Sequence, residues 1–247
     1  MAEKTGRLEW SKSEVLASLY DRVGMAGEQY RRMSIRLEGL KETLGGAMQV
    51  LVITSPMMGE GKTATAANLA VTLAYEEGRR VLLLDCDTRK PRVWSLFREP
   101  PGKGLAEALV EGTPVSELVR GTEVVALDVL TLPRGSDRRI DPMPFEKLRG
   151  LLRDLRDRYD FIICDAPPFL PIADTAALVR LADGVILVVR ATQTPRHAVT
   201  RTLAGIDKSK LIGFVLNAVT ERAIDRYYYQ YTADPPDAGG IRDRNER

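Results

Sequence analysis

Residues 50–73 read VLVITSPMMGEGKTATAANLAVTL. The stretch opens with an apolar run over residues 50–54, passes through a glycine-containing loop over residues 55–63, and continues with helical spacing over residues 64–73. This order predicts a buried strand, a phosphate-binding loop and a helix. The rest of the chain can be placed around these three elements.

The loop has the residues that phosphate binding needs. Gly59 and Gly61 let the backbone turn so that successive N–H groups converge on an anion where a helix begins. Lys62 is predicted to lie against the β and γ phosphates, and the Thr63 hydroxyl to ligate Mg²⁺. The strict pattern G-x-x-x-x-G-K-[ST] has glycine where this chain has Pro56, so the loop alone also allows a plain glycine-rich turn into a surface helix.

Length and charge favour a single α/β domain that does not bind nucleic acid. A chain of 247 residues fits one large domain or two small ones. With 36 basic and 34 acidic residues, it has no basic excess to attract nucleic acid. Cys86 and Cys164 each end an apolar run without metal-ligand spacing, and we expect them to be reduced and buried. Because no apolar run reaches the ~18 residues of a membrane span, we expect a cytoplasmic protein.

Three segments follow from composition. Residues 1–47 are predicted to be an N-terminal helical segment for packing or oligomerisation, with a helix from about Gly27 to Leu44 that contacts either its own sheet or a neighbouring subunit. Residues 48–224 form the nucleotide-binding domain. Residues 225–247 form a flexible tail with half of the chain's tyrosines. Those tyrosines are either acceptors for another molecule or an aromatic edge packed on the domain; they are Tyr227, Tyr228, Tyr229 and Tyr231.

Carboxylates end two of the predicted strands. The apolar run at 81–84 leads into Asp85 and Asp87, and the run at 161–164 ends in Asp165. Mg²⁺ ligands or a general base would be needed at these positions, beside a phosphate loop. Capping of the following segment is the alternative for Asp87 and, less strongly, for Asp85.

Further sites are suggested later in the chain. Asn217 follows a predicted strand at 211–216, where its amide is placed either to read an adenine edge or to form a turn. Residues 133–137 are a candidate active-site loop, and Asp174 and Thr175 are candidate helix caps. The residues assigned to nucleotide binding are Met58, Gly59, Glu60, Gly61, Lys62, Thr63, Ala64 and Asn217.

Taken together, the motifs resemble the bacterial tyrosine kinases of capsule and exopolysaccharide synthesis, the BY-kinases, in their separate cytoplasmic form. The matching stretches are residues 55–63 (Walker A), 82–91 with Asp-x-Asp-x-Arg (Walker A′), 162–168 with Asp-x-Pro-Pro (Walker B) and the tyrosine cluster at 227–231. The resemblance implies a P-loop NTPase fold of the MinD/ParA kind, an α/β fold with a mostly parallel central sheet and helices on both faces.

The resemblance also implies roles, with ATP and Mg²⁺ as cofactors. Lys62 and Thr63 would hold phosphates and Mg²⁺. Asp85 and Asp87 would assist Mg²⁺ binding and deprotonate the incoming tyrosine, and Asp165 would complete the Mg²⁺ shell. Tail tyrosines of one subunit would be phosphorylated by the next in a homo-oligomer, for which a ring is one implied arrangement. The implied partner is a membrane-embedded polysaccharide co-polymerase or activator, which would hold the kinase at the inner face of the membrane.

Departures from the family pattern keep two alternatives open. The family's N-terminal helix carries Glu-x-x-Arg-x-x-Arg-x-Asn; Glu28 and Arg31 match, but Ser34 and Arg36 replace the last two residues. The nucleotide site is therefore better supported than a ring. The alternatives are a MinD/ParA-like switch ATPase, disfavoured because Met57 stands where those proteins carry a signature lysine, and a nucleotide-binding interaction module without kinase activity.

Overall fold

The computed structural model describes residues 7–11, 16–98, 102–132, 140 and 142–219. The strands are β1 Val50–Thr54, β2 Val81–Asp85, β3 Arg120–Gly121, β4 Leu127–Leu130, β5 Phe161–Asp165, β6 Gly184–Arg190 and β7 Leu211–Asn217. The α-helices are α1 Ala17–Tyr20, α2 Met25–Thr43, α3 Lys62–Tyr75, α4 Val115–Leu118, α5 Phe145–Arg156, α6 Ala173–Leu181 and α7 Arg196–Ala204. A 3₁₀ turn, Val93–Leu96, and a π-helical turn, Glu107–Glu111, complete the described elements.

The strands form one sheet in the order β3-β4-β2-β5-β1-β6-β7. All neighbouring pairs are parallel except β3 with β4. Every residue of β1, β2 and β5 is buried, because helices cover both faces of the sheet. Leu51 and Leu83 face the core shared with α3, whereas Val52 and Leu82 face the core shared with α5. The predicted α/β fold with a mostly parallel sheet is confirmed.

Helix α2 packs on its own chain rather than standing apart from it. The fully buried Ser34 hydroxyl oxygen lies 3.0 Å from Glu77 Oε1 and 2.9 Å from the Arg31 carbonyl oxygen, two acceptors that share its one proton. Arg79 donates to both carboxylate oxygens of Glu38, at 2.8 and 2.9 Å. In this structure α2 is therefore a cover for α3, and it begins two residues before the predicted start.

A short N-terminal segment lies against the outer strands. Leu8 forms a parallel bridge with Thr122, and Trp10 forms an antiparallel bridge with Phe97. The Trp10 and Phe97 rings lie 4.4 Å apart, and both side chains are buried. Two isolated apolar residues have no periodicity, so no sequence pattern predicts this segment.

Other local predictions had mixed outcomes. The free thiols of Cys86 and Cys164 are buried, as expected. The predicted capping of α6 is wrong, because Ile172 occupies the N-cap position and the Thr175 hydroxyl donates instead to the Pro167 carbonyl at 3.3 Å. The loop at 133–137, the tail tyrosines and the boundary at 224 lie outside the described residues. None of the described helices is long and apolar enough to span a bilayer.

The start of the central strand is fixed by one carboxylate. Asp183 Oδ2 accepts the backbone N–H groups of Gln49 and Val50 at 2.9 and 2.8 Å, and the Arg156 guanidinium donates to both Asp183 oxygens, at 2.8 and 2.7 Å. Burial alone would raise the pKa of Asp183, but Arg156 and the two N–H groups outweigh it and hold the pKa below its usual value.

We expect Asp183→Ala to lower the free energy of unfolding by about 2–3 kcal/mol at pH 7, because a charged acceptor of several hydrogen bonds is lost. A depressed folded-state pKa means that this stabilisation is present at neutral pH and disappears as the pH falls below the ordinary Asp value of 3.8. Urea unfolding at pH 7 and at pH 3.5 measures both effects. Asp157→Ala, at an exposed aspartate, is the matched control. Equal losses for the two variants would contradict the assignment.

Candidate functional site

The phosphate loop leaves the end of β1 and turns directly into α3. Gly59 and Gly61 have φ values of +79° and +96°, the left-handed region that favours glycine. Lys62 is the first residue of α3, so its side chain and that of Thr63 start at the helix N-terminus, where an anion is favoured. Met58 is exposed on the loop, and Ala64 lies partly buried in the first helical turn.

Asp165 lies beside this loop because of the strand register. It pairs with Ile53 of β1 and with Asp85 of β2. The Thr63 hydroxyl donates to Asp165 Oδ2 at 2.6 Å, whereas Oδ1 is buried and has no hydrogen-bond partner among the described residues. Burial raises the pKa of Asp165 to about 7, although the Thr63 hydrogen bond and the Lys62 charge act in the opposite direction.

This arrangement fits Mg²⁺. An unpartnered buried carboxylate oxygen next to a hydroxyl is the kind of oxygen-only environment that Mg²⁺ uses together with substrate phosphates. In the described part of the chain, no group of three or more His, Cys, Asp or Glu side chains is arranged to hold a metal on its own. The metal would therefore depend on the nucleotide phosphates for the remaining ligands.

Asp85 is fully buried, and both of its oxygens accept backbone hydrogen bonds. Oδ1 accepts from Asp87 N at 3.1 Å, and Oδ2 accepts from Arg92 N at 3.2 Å and Val93 N at 3.1 Å. Burial and the neighbouring Asp165 charge raise the pKa of Asp85 well above its usual range. In this structure its side chain organises the segment between β2 and the 3₁₀ turn.

Asp87 is the second carboxylate at the end of β2. Its Oδ1 accepts the Lys90 N–H at 3.0 Å. Burial raises the pKa of Asp87, while the Lys90 hydrogen bond and the Lys62 charge lower it. A carboxylate with a raised pKa accepts a proton more readily, so this position suits a general base.

The opposite side of the loop is held by residues that the sequence analysis did not find. The Arg190 guanidinium donates to the Gly59 carbonyl at 3.0 Å, and the Thr194 hydroxyl donates to Glu60 Oε1. The Asn217 amide nitrogen donates to the Glu60 carbonyl at 2.9 Å, so in this structure it contacts the loop. Arg190 and Thr194 lie more than a hundred residues from the loop in sequence, and no local pattern marks them.

A family model described as an AAA domain matches residues 48–212. The tyrosine-protein kinase YwqD of Bacillus subtilis (strain 168) is 34% identical over 214 residues, which cover 84% of this chain and 87% of YwqD. The succinoglycan biosynthesis transport protein ExoP of Rhizobium meliloti (strain 1021) is 29% identical over 74% of this chain but only 24% of its own length. The match with YwqD therefore extends over most of both proteins.

The fold of this chain also superposes on solved structures. The chimerical protein CapA2B2 superposes with a TM-score of 0.74 at 28% identity, over 87% of this chain and 94% of the other. The septum site-determining protein MinD from Pyrococcus horikoshii OT3, complexed with Mg-ADP, superposes with a TM-score of 0.57 at 24% identity, over 71% of this chain and 73% of MinD. The MinD likeness concerns the fold alone, and together with the CapA2B2 match it confirms the predicted MinD/ParA-like fold.

The two loop glycines should differ in their tolerance of a side chain. A Cβ at Gly59 would meet no atom within 4 Å, but a Cβ at Gly61 would lie 1.9 Å from Asn217 Nδ2. Gly59→Ala should therefore cost only the ~1–2 kcal/mol of a left-handed residue. Gly61→Ala should cost about 1 kcal/mol more, because it also displaces a hydrogen bond. Urea unfolding measures both, and Asn217→Ala in the Gly61→Ala background should recover part of the difference. Equal losses at the two glycines would refute the steric argument.

Proposed function

The chain belongs to the bacterial tyrosine kinase family of P-loop nucleotide-binding proteins, and from this membership we propose that it transfers the γ-phosphoryl group of Mg²⁺-ATP to tyrosines of a neighbouring copy. One observation supports this most: the Thr63 hydroxyl bonds to the buried Asp165 while the second Asp165 oxygen has no partner among the described residues. That pair adjoins the glycine loop, because Thr63 follows Lys62 at the start of α3.

The residues proposed to bind Mg²⁺-ATP lie in the loop, at the start of α3 and at the end of β5. The loop N–H groups and Lys62 hold the phosphates, and Thr63 and Asp165 hold Mg²⁺. Mg²⁺ neutralises charge on the phosphate oxygens when bound. Because phosphoryl transfer depends mainly on position and charge, the buried site contributes by fixing these groups before the acceptor arrives.

Asp87 is the proposed general base. Its carboxylate takes the proton of the tyrosine hydroxyl as the phenol oxygen bonds to the γ-phosphorus and the bond to ADP breaks. The sequence analysis assigned Asp85 and Asp87 jointly to metal assistance and deprotonation. The geometry favours Asp87 for the proton, because both Asp85 oxygens already accept backbone N–H groups.

The acceptors, the segment boundaries and the partners remain proposals from sequence. The proposed acceptors are Tyr227, Tyr228, Tyr229 and Tyr231. The proposed segments are an N-terminal helical segment at 1–47, a kinase domain at 48–224 and an acceptor tail at 225–247. Asn217 remains a candidate for adenine recognition. The name of ExoP, a succinoglycan biosynthesis transport protein, supports a role in exopolysaccharide synthesis or export. The family resemblance implies the proposed partner, a membrane-embedded co-polymerase or activator that holds the kinase at the inner face of the membrane.

Incubation of the purified protein with Mg²⁺-ATP should yield phosphotyrosine. Lys62→Met should abolish it, because the phosphates lose their cation. Blotting for phosphotyrosine is the measurement. If ATP is hydrolysed and no phosphotyrosine forms, even with a membrane activator fragment, a switch ATPase of the MinD kind replaces the kinase. If neither reaction occurs, a nucleotide-binding interaction module remains.

Transfer between subunits can be tested by mixing two chains that are each unable to phosphorylate themselves. Lys62→Met has the tail but no catalysis, and a chain that ends before Tyr227 has catalysis but no tail. We expect phosphotyrosine on the Lys62→Met chain only in the mixture. A mixture that stays unphosphorylated, while the wild-type protein is phosphorylated, would show that transfer occurs within one chain.

Phosphorylation of the tail should also change the oligomer. Several phosphates on residues 227–231 place negative charges close together, and their repulsion should loosen binding of the tail in a neighbour's site. Light scattering before and after full phosphorylation should therefore show a loss of mass. An unchanged mass would exclude this form of regulation.

A further inference from the structure

The phosphate loop is braced from the side of the sheet opposite Asp85 and Asp165. The brace consists of four side chains: Glu60 in the loop, Arg190 at the end of β6, Thr194 in the turn that follows, and Asn217 at the end of β7. We propose that Arg190 and Thr194 are positioning residues that orient the loop's N–H groups for nucleotide before it binds. This inference rests on the nucleotide-binding part of the proposed function and does not depend on phosphoryl transfer.

Glu60 joins the loop to the turn after β6. Its side chain is buried, with 4% of the residue exposed. Oε2 accepts the Met57 N–H at 2.9 Å, and Oε1 accepts the Thr194 hydroxyl. Both carboxylate oxygens are thus used by protein donors, so the Glu60 side chain acts as a strut within the protein.

Two hydrogen bonds, one accepted and one donated, fix the direction of the Thr194 hydroxyl. The hydroxyl oxygen accepts the Arg190 N–H at 2.9 Å, and the hydroxyl proton goes to Glu60. The turn itself is tight, since Thr194 N donates to the Arg190 carbonyl at 3.0 Å and Thr192 has a φ of +61°. A non-glycine residue in this region persists where the surrounding contacts hold it.

Arg190 and Asn217 hold consecutive loop carbonyls. Arg190 Nη1 donates to the Gly59 carbonyl at 3.0 Å, and Asn217 Nδ2 donates to the Glu60 carbonyl at 2.9 Å. The ends of β6 and β7 are themselves joined, because Ala191 N donates to the Asn217 carbonyl at 2.8 Å. The two donors are therefore fixed relative to each other.

Holding a carbonyl also aims the next N–H group. A peptide unit is planar and trans, so its C=O and the following N–H point in opposite directions. With the Gly59 carbonyl held by Arg190, the Glu60 N–H points away from the brace; with the Glu60 carbonyl held by Asn217, the Gly61 N–H does the same. These are N–H groups of the glycine loop that cradle phosphates in the motif. The brace therefore fixes the direction of these N–H groups through the carbonyls that precede them.

The experiment measures nucleotide binding separately from catalysis. Thr194→Val removes the hydroxyl at nearly constant shape, Thr194→Ser keeps it, and Thr200→Val makes the same change on α7 at an exposed threonine whose hydroxyl bonds only to its own helix. The probe is a fluorescent ADP analogue with Mg²⁺, titrated into the full chain. Arg190→Met is the second test variant, and it decides the question should Thr194→Val fail to fold.

We expect Thr194→Val and Arg190→Met each to weaken ADP binding by about tenfold, the upper size of one lost hydrogen bond. Thr194→Ser and Thr200→Val should bind within about twofold of wild type. At saturating ATP, the rate of tyrosine phosphorylation by the Thr194→Val chain should stay within about twofold of wild type, because bound nucleotide orients the loop in place of the brace.

Three results would overturn the inference: unchanged ADP affinity in Thr194→Val and Arg190→Met, equal weakening in Thr194→Val and Thr194→Ser, or a tenfold loss of the phosphorylation rate of Thr194→Val at saturating ATP. Failure of the kinase proposal is distinguishable. A protein that binds ADP with these differences but forms no phosphotyrosine would confirm the role of Arg190 and Thr194 and refute the kinase proposal.

Discussion

The site depends on the burial of two carboxylates side by side. Asp85 and Asp165 pair in register at the carboxyl ends of β2 and β5, and both are buried. Buried like charges are unfavourable unless donors or cations compensate them. Asp85 is compensated by three backbone N–H groups, whereas Asp165 has the Thr63 hydroxyl and one oxygen without a partner among the described residues. The protein itself supplies hydrogen bonds to both oxygens of Asp85, whereas the second oxygen of Asp165 is the one suited to a cation.

The order of the strands places the carboxylates of the site on one side of β1 and the side chains that hold the loop carbonyls on the other. β1 lies between β5 and β6, and ligands in open α/β sheets bind where the strand order diverges in this way. The β2 and β5 side provides the carboxylates Asp85, Asp87 and Asp165. The β6 and β7 side provides neutral and basic donors that hold the loop carbonyls. Because the two sides act on different atoms of the loop, a change on the β6 side can alter binding without touching the groups that handle protons.

Local sequence was enough for the elements that carry the motifs. The bounds of β1 match the apolar run before the loop, since a buried parallel strand must be apolar on both faces and must end where the glycines begin. The bond from Thr194 to Glu60 was not predictable, because it joins residues 134 positions apart and no local pattern marks Thr194. Trp10 was missed for a similar reason: a single aromatic residue has no period, and its partner Phe97 lies far along the chain.

The departure of α2 from the family pattern has a physical reason in the packing. Ser34 stands where the family carries its second arginine, and the structure buries it completely against Glu77 at the end of α3. A guanidinium in that place would need more room and would lose its water. This face of α2 is already occupied by the chain's own helix, so it is not available to a neighbouring subunit. An oligomer in which one subunit phosphorylates the next would have to use the outer face of α2, where Ile35 is exposed, or another surface altogether.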